Sequence, residues 1–251
     1  MDWLLMIVVA LGGVGAGFIN AVAGGGSALT LPILMIVGLD ASVANGTNRV
    51  AVGIQSFTSA VTFHRDGVRP IDAAWRSGRW VLAGALVGAL GAVQISADSL
   101  EILFGILFLV LAFVLGRNSA LLQPSSRLGE GHGTKQSAAL FVIGLYGGFF
   151  QAGVGIPLLL ALINLMGLDA IRGNAAKSLI IFVYSASIIG VFSYAEQVDW
   201  LNGALLGFGG VVGSILGTKM LIRRGAGMIR GIVVVALVVA GLRSLMKLWA
   251  D

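Results

Sequence analysis

Residues 17–27 read GFINAVAGGGS, and this stretch decides how the chain folds. Its three consecutive glycines, Gly24-Gly25-Gly26, end a long apolar segment, 3–22, and precede a short one, 27–39. A helix needs about 20 residues to span a bilayer, so the short segment suits a re-entrant or tilted half-helix. The sequence therefore predicts a membrane helix that is broken at the glycines.

A second break of the same kind occurs in the later half of the chain. Gly153-Val154-Gly155 separates the apolar segment 136–152 from another short apolar segment, 156–168. Two short segments that both follow glycines predict one broken helical hairpin in each half.

The two halves match each other at a constant offset. Gly38-Leu39-Asp40-Ala41 recurs 129 positions later as Gly167-Leu168-Asp169-Ala170, and the same offset pairs Asn45 with Asn174. Agreement at one offset predicts an internal duplication. Its expected parts are a first transmembrane repeat over 1–116, a cytoplasmic linker over 117–135 and a second transmembrane repeat over 136–251.

The composition places most of the chain in lipid. Of the 251 residues, 57% are hydrophobic and 11% are charged, whereas a soluble domain carries about 25% charged residues. The mean hydropathy is +0.98. We therefore expect an all-α integral membrane protein. The long apolar stretches cover approximately 3–22, 43–63, 80–95, 99–116, 136–152, 172–194, 201–222 and 228–249.

The residue types exclude several classes of function. The chain has no cysteine, which excludes disulfides and thiolate metal sites. His64 and His132 both lie in polar stretches, so we expect neither a metal nor a cofactor. The pI of about 10.1 does not indicate nucleic-acid binding, because the basic residues lie between apolar segments. Residues 1–3 lack the basic region of a cleaved signal peptide, so the first apolar segment is expected to remain as a membrane span.

The charges between the apolar segments predict an orientation in the cell (inner) membrane. Basic residues are concentrated in 64–79, 117–135 and 219–230, whereas 96–101 and 195–199 carry acidic residues and no basic one. Loops rich in Lys and Arg face the cytoplasm. We therefore expect the three basic stretches inside and the two acidic stretches outside.

Equivalent loops of the two repeats carry opposite charge. The loop after the Asn45 helix is basic, whereas the loop after the Asn174 helix is acidic, and the next pair of loops is reversed in the same way. The repeats are therefore expected to lie upside down relative to each other. The predicted architecture is two inverted-topology repeats, each with a glycine-broken or re-entrant hairpin followed by three spanning helices.

The glycine breaks are the first candidate binding site. Each break leaves backbone N–H groups unpaired at the start of a half-helix, where the helix macrodipole attracts anions. The alternative is that these glycines only permit close helix packing. The candidate residues around the breaks are Asn20, Gly24, Gly25, Gly26 and Ser27 in the first half and Gln151, Gly153 and Gly155 in the second.

Each half also has a polar run inside an apolar helix, which is the second candidate. An amide is followed by a cation in both runs: Asn45 by Arg49, and Asn174 by Lys177. Charge within a membrane is costly and usually functional. A long side chain near a helix end can instead reach the headgroups, and that alternative stays open. The candidate ligands are Asn45, Thr47, Asn48, Arg49 and Gln55 with Asn174, Lys177 and Ser178.

Acidic side chains are absent from the middle of every apolar segment, which disfavours a cation as the substrate. Asp40 and Asp169 directly precede the polar helices, and both are predicted to be N-caps. No nucleotide-binding loop is recognisable, so we expect transport without ATP.

The glycine and asparagine motifs resemble those of the TauE/SafE sulfite-exporter family of bacterial membrane permeases. The resemblance is carried by 17–27 with Pro32 and by 44–48 (ANGTN) in the first half, and by 147–155 (GGFFQAGVG) and 174–177 (NAAK) in the second. It covers nearly the whole chain and implies transport of anions related to sulfur metabolism, such as sulfite, thiosulfate or organosulfonates. The second copy departs from the first, since Val154 interrupts its glycines and Lys177 stands where Asn48 does.

The sequence therefore predicts a multi-pass transporter that moves a small, sulfur-containing oxyanion by a secondary mechanism. An oxyanion suits a ring of N–H donors with one or two positive charges. The expected partners are that anion and the lipid bilayer, without nucleic acid; a homo-oligomer and any coupling ion stay open. The alternative is a membrane subunit of a larger assembly without transport activity of its own. An intramembrane enzyme is disfavoured, because no nucleophile–base pair is recognisable.

Overall fold

The computed structural model describes residues 3–117 and 133–224, and the regular structure in these two ranges is helical throughout. The predicted apolar segment 228–249 lies outside the described residues, as does most of the predicted linker 117–135. The described helices are α1 (Trp3–Ala23), α2 (Ser27–Ile36), α3 (Ala41–Arg65), α4 (Ile71–Ala92), α5 (Ala97–Arg117), α6 (Thr134–Phe149), α7 (Gly155–Met166), α8 (Ala170–Tyr194) and α9 (Trp200–Arg224).

The helix bounds repeat at the same offset as the sequence motifs. α3 and α8 both have 25 residues, and each begins and ends 129 positions from the other. α4 and α9 begin at Ile71 and Trp200, again 129 positions apart. The first four helices of one half therefore correspond to α6, α7, α8 and α9 of the other.

Contacts between helices follow this correspondence. α1 packs against α9, and α4 packs against α6. Since α1 corresponds to α6 and α4 to α9, these two contacts are equivalent. The contacts of α3 with α9 and of α4 with α8 are related in the same way, while α3 and α8 pack against each other. The helices of the two halves therefore pack against each other and do not form two separate bundles.

Glycines allow these helices to approach closely. A Cβ on Gly84 of α4 would lie 2.0 Å from the carbonyl oxygen of Phe141, and a Cβ on Gly213 of α9 would lie 1.9 Å from that of Val14. Such contacts leave no room for any side chain. Small residues at four-residue spacing permit this backbone-to-backbone packing in membranes, where apolar burial alone does not hold helices together.

Length and composition make three of the described helices suitable for crossing a membrane: α1, α8 and α9. Large aromatic side chains are exposed at helix ends, as at Trp3 (68% exposed), Trp75 (75%) and Trp200 (54%), which is typical of a membrane–water interface. The two predicted short segments are also found, as α2 with 10 residues and α7 with 12. Helix α2 stops at Ile36 rather than at residue 39, because Gly38 adopts a φ of +97° and ends it.

The basic stretch 64–79 is not the loop that its charge predicted. Helix α3 continues to Arg65 and α4 already begins at Ile71, so only 66–70 connects them. Arginine is a good helix former. Pro70 disfavours helical backbone at the residue before it and lies at the N-cap of α4, so the new helix begins after it. Likewise α9 continues to Arg224, so the described part of the basic stretch 219–230 is helical as well.

The two predicted N-caps differ. The carboxylate of Asp169 accepts hydrogen bonds from the backbone N–H groups of Ile171 (2.9 Å) and Arg172 (2.8 Å), which confirms that cap. Asp40 occupies the N-cap position of α3 with extended backbone, as predicted, but its side chain makes no capping hydrogen bond. Asp169 is also held by an ion pair with Arg172 at 3.6 Å, whereas Val43 occupies the corresponding position after Asp40.

Candidate functional site

The two glycine breaks contact each other. Gly24 and Gly153, which are equivalent in the two halves, have φ values of +76° and +68°, a left-handed conformation that side chains disfavour. A Cβ added to Gly24 would lie 2.5 Å from the Cα of Gly155. Glycine is therefore required at this crossing both for its backbone conformation and for its lack of a side chain.

Arg49 binds the end of the broken helix of the other half. Its Nη1 donates to the carbonyl of Gly147 at 2.6 Å, and its Nη2 donates to the carbonyls of Gly148 at 3.0 Å and Phe149 at 3.2 Å. These three carbonyls are the last of α6, where intrahelical donors run out. The Gly147 carbonyl also accepts from the backbone N–H of Gln151 at 3.1 Å. A helix C-terminus carries about half a negative charge, so the guanidinium is held where a cation is favoured.

Neighbouring side chains fix the Arg49 guanidinium in place. Asn45, one turn earlier on α3, accepts from Nη2 at 2.9 Å and donates its own amide to the Phe149 carbonyl at 2.9 Å. Gln151 accepts from Nη1 at 2.5 Å, and its backbone has a φ of +62°. The ring of Phe192 lies 4.8 Å from the guanidinium carbon, within cation–π distance.

Lys177 makes the converse contact with the first half. Its Nζ donates to the backbone carbonyl of Asn20 at 3.0 Å and to the Oδ1 atom of Asn174 at 2.6 Å. Asn20 lies in the last turn of α1. Asn20 and Phe149 are 129 positions apart, so equivalent carbonyls of the two broken helices bind the cations of the opposite halves.

Neither Arg49 nor Lys177 has an acidic partner in the ranges 3–117 and 133–224. Arg49 and Lys177 are each 1% exposed, so the alternative that they extend to the surface is wrong. Among the described residues, the ion pair within 4.0 Å is that of Arg172 with Asp169, and neither carboxylate nor guanidinium of that pair is buried. In the part of the chain that the structure describes, carbonyls and amides solvate these two buried cations, and no carboxylate lies within 4.0 Å of either.

Hydrogen-bond donors without an acceptor are buried in the same part of the molecule. Within the described residues, no hydrogen bond uses the side-chain N–H groups of Asn48 Nδ2, Arg49 Nε, Gln55 Nε2 or Gln151 Nε2. The backbone N–H groups of Gly25, Gly26 and Ser27 at the start of α2 also donate to no acceptor in the described ranges. Buried polar groups are normally paired, so this excess of donors indicates a place for an acceptor.

Two further hydrogen bonds connect the polar helix α3 with the first broken helix. The Thr30 hydroxyl on α2 donates to Asn48 Oδ1 at 2.5 Å. The Asn20 amide on α1 donates to Gln55 Oε1 at 3.4 Å. These contacts hold the oxygen atoms of Asn48 and Gln55 and leave their N–H groups as the unpaired ends.

Two candidates from the sequence do not join these contacts. The Thr47 hydroxyl accepts from the backbone N–H of Asp199 at 2.8 Å, so it faces the loop between α8 and α9. The Ser178 hydroxyl donates to the Asn174 carbonyl within its own helix at 2.9 Å. The other fourteen candidate residues lie in or beside the breaks and the cation contacts.

Two contributing residues are not among the sequence candidates. Tyr184 is fully buried and donates its hydroxyl to Gln151 Oε1 at 3.1 Å. It follows Lys177 by seven residues, or about two helical turns, and this spacing is the signal that could have identified it. Thr30 is the one polar side chain between Ser27 and Ile36, and its isolation in an apolar half-helix was the corresponding signal.

Comparisons with known proteins agree with the membrane character of these helices. The family model described as sulfite exporter TauE/SafE matches residues 9–244. A "probable membrane transporter protein" of Haemophilus influenzae is 31% identical, covering 92% of this chain and 91% of its own. The "probable membrane transporter protein ORF9" of Sinorhizobium sp is 28% identical over 92% and 88% of the two chains. "Probable membrane transporter protein YfcA" of Escherichia coli K12 is 26% identical over 88% and 82%. No solved structure matches the chain.

Proposed function

The chain belongs to the TauE/SafE sulfite exporter family, and from this membership we propose that it carries a small, sulfur-containing oxyanion across the cell membrane by a secondary mechanism. Membership makes it a membrane transporter. The relatives are named as membrane transporters without a substrate, so the sulfur chemistry of the proposal comes from the family's description. The oxyanion chemistry is supported independently by the interior of the molecule.

The observation that carries the proposal is the pair of buried cations, Arg49 and Lys177, which have no carboxylate partner among the described residues. Charge buried in a protein is costly unless an opposite charge or hydrogen bonds compensate it. Carbonyls provide part of that compensation here. A mobile anion would provide the rest, and its departure would leave a charged interior that favours rebinding.

The unpaired donors suit an oxyanion rather than a halide. Sulfite and sulfonate oxygens each accept several hydrogen bonds, and charge-assisted bonds of this kind are about twice as strong as neutral ones. Lys177 uses two of its three N–H groups within the protein, which leaves one for a ligand. The proposed ligands are the backbone N–H groups of Gly25, Gly26 and Ser27 with the side chains of Asn48, Arg49, Gln55, Gln151 and Lys177.

We infer that the two halves are inverted repeats and that transport proceeds by alternating access between them. The exchange of helix contacts between halves supports this topology. So does the position of the loops: Gln197 Nε2 donates to the Val93 carbonyl at 3.3 Å, which brings the two acidic connections to one end of the molecule. At the other end, a cavity of about 680 Å³ is lined by Asp66–Ala73 and by Arg172.

Equivalent loops make different contacts at the two ends, which supports a molecule that is closed on one side. At the acidic end, the loop after α8 covers α3 so closely that a Cβ on Gly46 would lie 1.9 Å from the Gln197 carbonyl oxygen. At the basic end, the equivalent loop, 66–70, is separated from Ala175 by a cavity of about 260 Å³. Ala175 is the counterpart of Gly46 at the 129-residue offset. If the loop after α8 moved away from α3 and the loop 66–70 closed on α8, the acidic end would open. We place that end outside the cell.

Flux into liposomes tests the proposed function. Purified protein is reconstituted and uptake of sulfite, thiosulfate and methanesulfonate is compared with uptake into empty vesicles, with choline as a cationic control. We expect flux of at least one sulfur oxyanion and none of choline. Absence of flux for all three anions, in vesicles shown to contain folded protein, would favour the subunit of a larger assembly instead.

A further inference from the structure

We propose that the carbonyls at the ends of α1 and α6 form two cation sites that the chain fills with its own side chains, Lys177 and Arg49. Oxyanion transport then requires no sodium or potassium ion. This inference rests on the proposed function, because it names the coupling requirement of the same site. It concerns the role of the two cations toward the protein, whereas the proposed function concerns their role toward the substrate.

Broken helices provide cation sites for a physical reason. Their last carbonyls have few intrahelical donors, and the macrodipole places partial negative charge there. The carbonyls of Asn20 and Gly147 each accept one backbone N–H, from Gly24 (3.0 Å) and Gln151 (3.1 Å), and a carbonyl oxygen has a second lone pair for a cation. In secondary transporters with broken helices, such carbonyl ends hold the coupling cation. At the end of α6 that position is occupied by the guanidinium of Arg49, which binds the carbonyls of Gly147, Gly148 and Phe149.

The Lys177 contacts are neutral oxygen atoms, the type of ligand that alkali-metal and ammonium ions also take. Both partners of Nζ are oxygen atoms, the Asn20 carbonyl at 3.0 Å and Asn174 Oδ1 at 2.6 Å. Neutral oxygens bind potassium, ammonium and a lysine amine alike, and the lysine amine is a compact point charge rather than a fork. A covalently attached cation therefore occupies this site at all times and does not travel with the substrate.

The arrangement is built twice from different residues. The two carbonyls that accept from the cations, Asn20 and Phe149, are equivalent at the 129-residue offset. The cations themselves are not equivalent, since Lys177 corresponds to Asn48 and Arg49 to Ser178. Different side chains thus deliver positive charge to the same place in each half, which indicates that the charge at the helix end is what both halves require.

Replacement of the metal cations tests the inference on the unaltered protein. Flux of the transported anion is measured in liposomes with sodium and potassium salts on both sides, and again with N-methylglucammonium as the cation throughout. We expect the same flux in both media. Loss of flux in N-methylglucammonium that returns when sodium or potassium is added would overturn the inference while leaving anion transport established.

Chemical rescue tests the Lys177 site directly. In Lys177→Ala we expect flux to fall by at least about 10-fold and to be partly restored by ethylammonium, which replaces the amine that was removed. Choline is the control, since it carries charge but has no N–H donor. Lys135→Ala, which removes an exposed lysine from the start of α6, should neither lower flux nor respond to ethylammonium. Equal responses to ethylammonium and choline, or none, would contradict a cation site at Asn20 and Asn174.

Thermal stability separates this inference from the proposed function. The melting temperature of purified Lys177→Ala should rise with ethylammonium, because a ligand that binds the folded state stabilises it, whereas the unaltered protein should not respond. This shift is expected even if none of the tested anions is transported. Suppose that the unaltered protein transports the anion but ethylammonium neither stabilises nor reactivates Lys177→Ala. The proposed cation site would then be wrong, while the proposed transport function would stand.

Discussion

The Nζ atom of Lys177 lies 3.0 Å from the carbonyl oxygen of Asn20, 157 positions earlier in the chain. This bond joins the polar helix of the second half to the broken helix of the first. Arg49 joins the polar helix of the first half to the broken helix of the second in the same way, through Phe149. The two halves are therefore tied together at their breaks by charge rather than by apolar contact alone.

Lys177→Met removes this charge and keeps a similar apolar stem. We expect near-normal membrane insertion but a loss of anion affinity of about 10- to 150-fold, since a charged hydrogen-bond partner in a dry site is worth about 1.5–3 kcal/mol. Lys177→Arg should recover only part of it, because a guanidinium does not reproduce a compact ammonium. Uptake kinetics at matched protein content in the membrane measure both effects.

Lys135→Met is the matched control for the Lys177 variants, since Lys135 is an exposed lysine at the start of α6. It should leave uptake unchanged. Unaltered kinetics in Lys177→Met would show that the amine does not contribute to binding, and would leave the N–H groups of the glycine break and of Asn48 as the anion ligands.

Gly24→Ala should disrupt the crossing of the two breaks. The new methyl group would lie 2.5 Å from the Gly155 Cα, and a left-handed backbone costs a residue other than glycine about 1–2 kcal/mol. Gly38→Ala has the same backbone problem but open space around it. We therefore expect Gly24→Ala to lower the melting temperature and uptake much more than Gly38→Ala. Equal effects would mean that the close approach of the breaks is unimportant.

The inverted topology predicts the side of each loop. Reporter fusions at Gly67 should lie in the cytoplasm, and fusions at Ala97 and Gln197 should lie outside, because basic loops stay inside. Gly67 and Glu196 hold equivalent positions in the two halves, both with positive φ. The fusions at Gly67 and at the neighbouring Gln197 therefore compare equivalent loops. Cytoplasmic signals from both Ala97 and Gln197 would contradict the inversion.

A cross-link across the acidic end should stop transport. The side chain of Gln197 donates to the carbonyl of Val93, so Val93→Cys with Gln197→Cys places two thiols near each other in a chain that has no other cysteine. A reducible bifunctional thiol reagent should block uptake, and reduction should restore it, if the loop must leave α3 for the outer side to open. Each single variant treated with the same reagent is the control. Full uptake by the cross-linked protein would contradict this gate.

Much of the fold could be predicted from the sequence, because glycine breaks and repeated motifs act locally. The approximate extents of α3 and α8 follow from apolar length, and the side chain of Asp169 caps the start of α8, whereas that of Asp40 makes no capping bond. The start of α4 could not be predicted in this way, because the charge of Arg76 and Arg79 indicates a loop. Arginine also favours helices, and α4 begins directly after Pro70.

The sequence predicts most of the residues that form the site, but not the groups to which they hydrogen-bond. Asn45 and Arg49 share one face of α3 as four-residue spacing requires, and the structure places them on one set of carbonyls. That these carbonyls belong to the other half could not be read from spacing along one helix. Thr47, two positions after Asn45, points to a different partner because each residue turns the helix by about 100°.

Equilibrium binding to the purified chain tests the central claim, that the buried cations and unpaired donors hold an oxyanion. Radiolabelled sulfite is titrated onto folded protein in detergent, with thiosulfate, methanesulfonate and choline as competitors and Lys177→Met as the comparison. The account predicts saturable binding that the sulfur oxyanions displace and choline does not, weakened by about 10- to 150-fold in Lys177→Met. The account is contradicted if the folded protein binds none of these anions saturably. It is also contradicted if Lys177→Met binds sulfite as tightly as the unaltered protein does and the other sulfur anions do not compete.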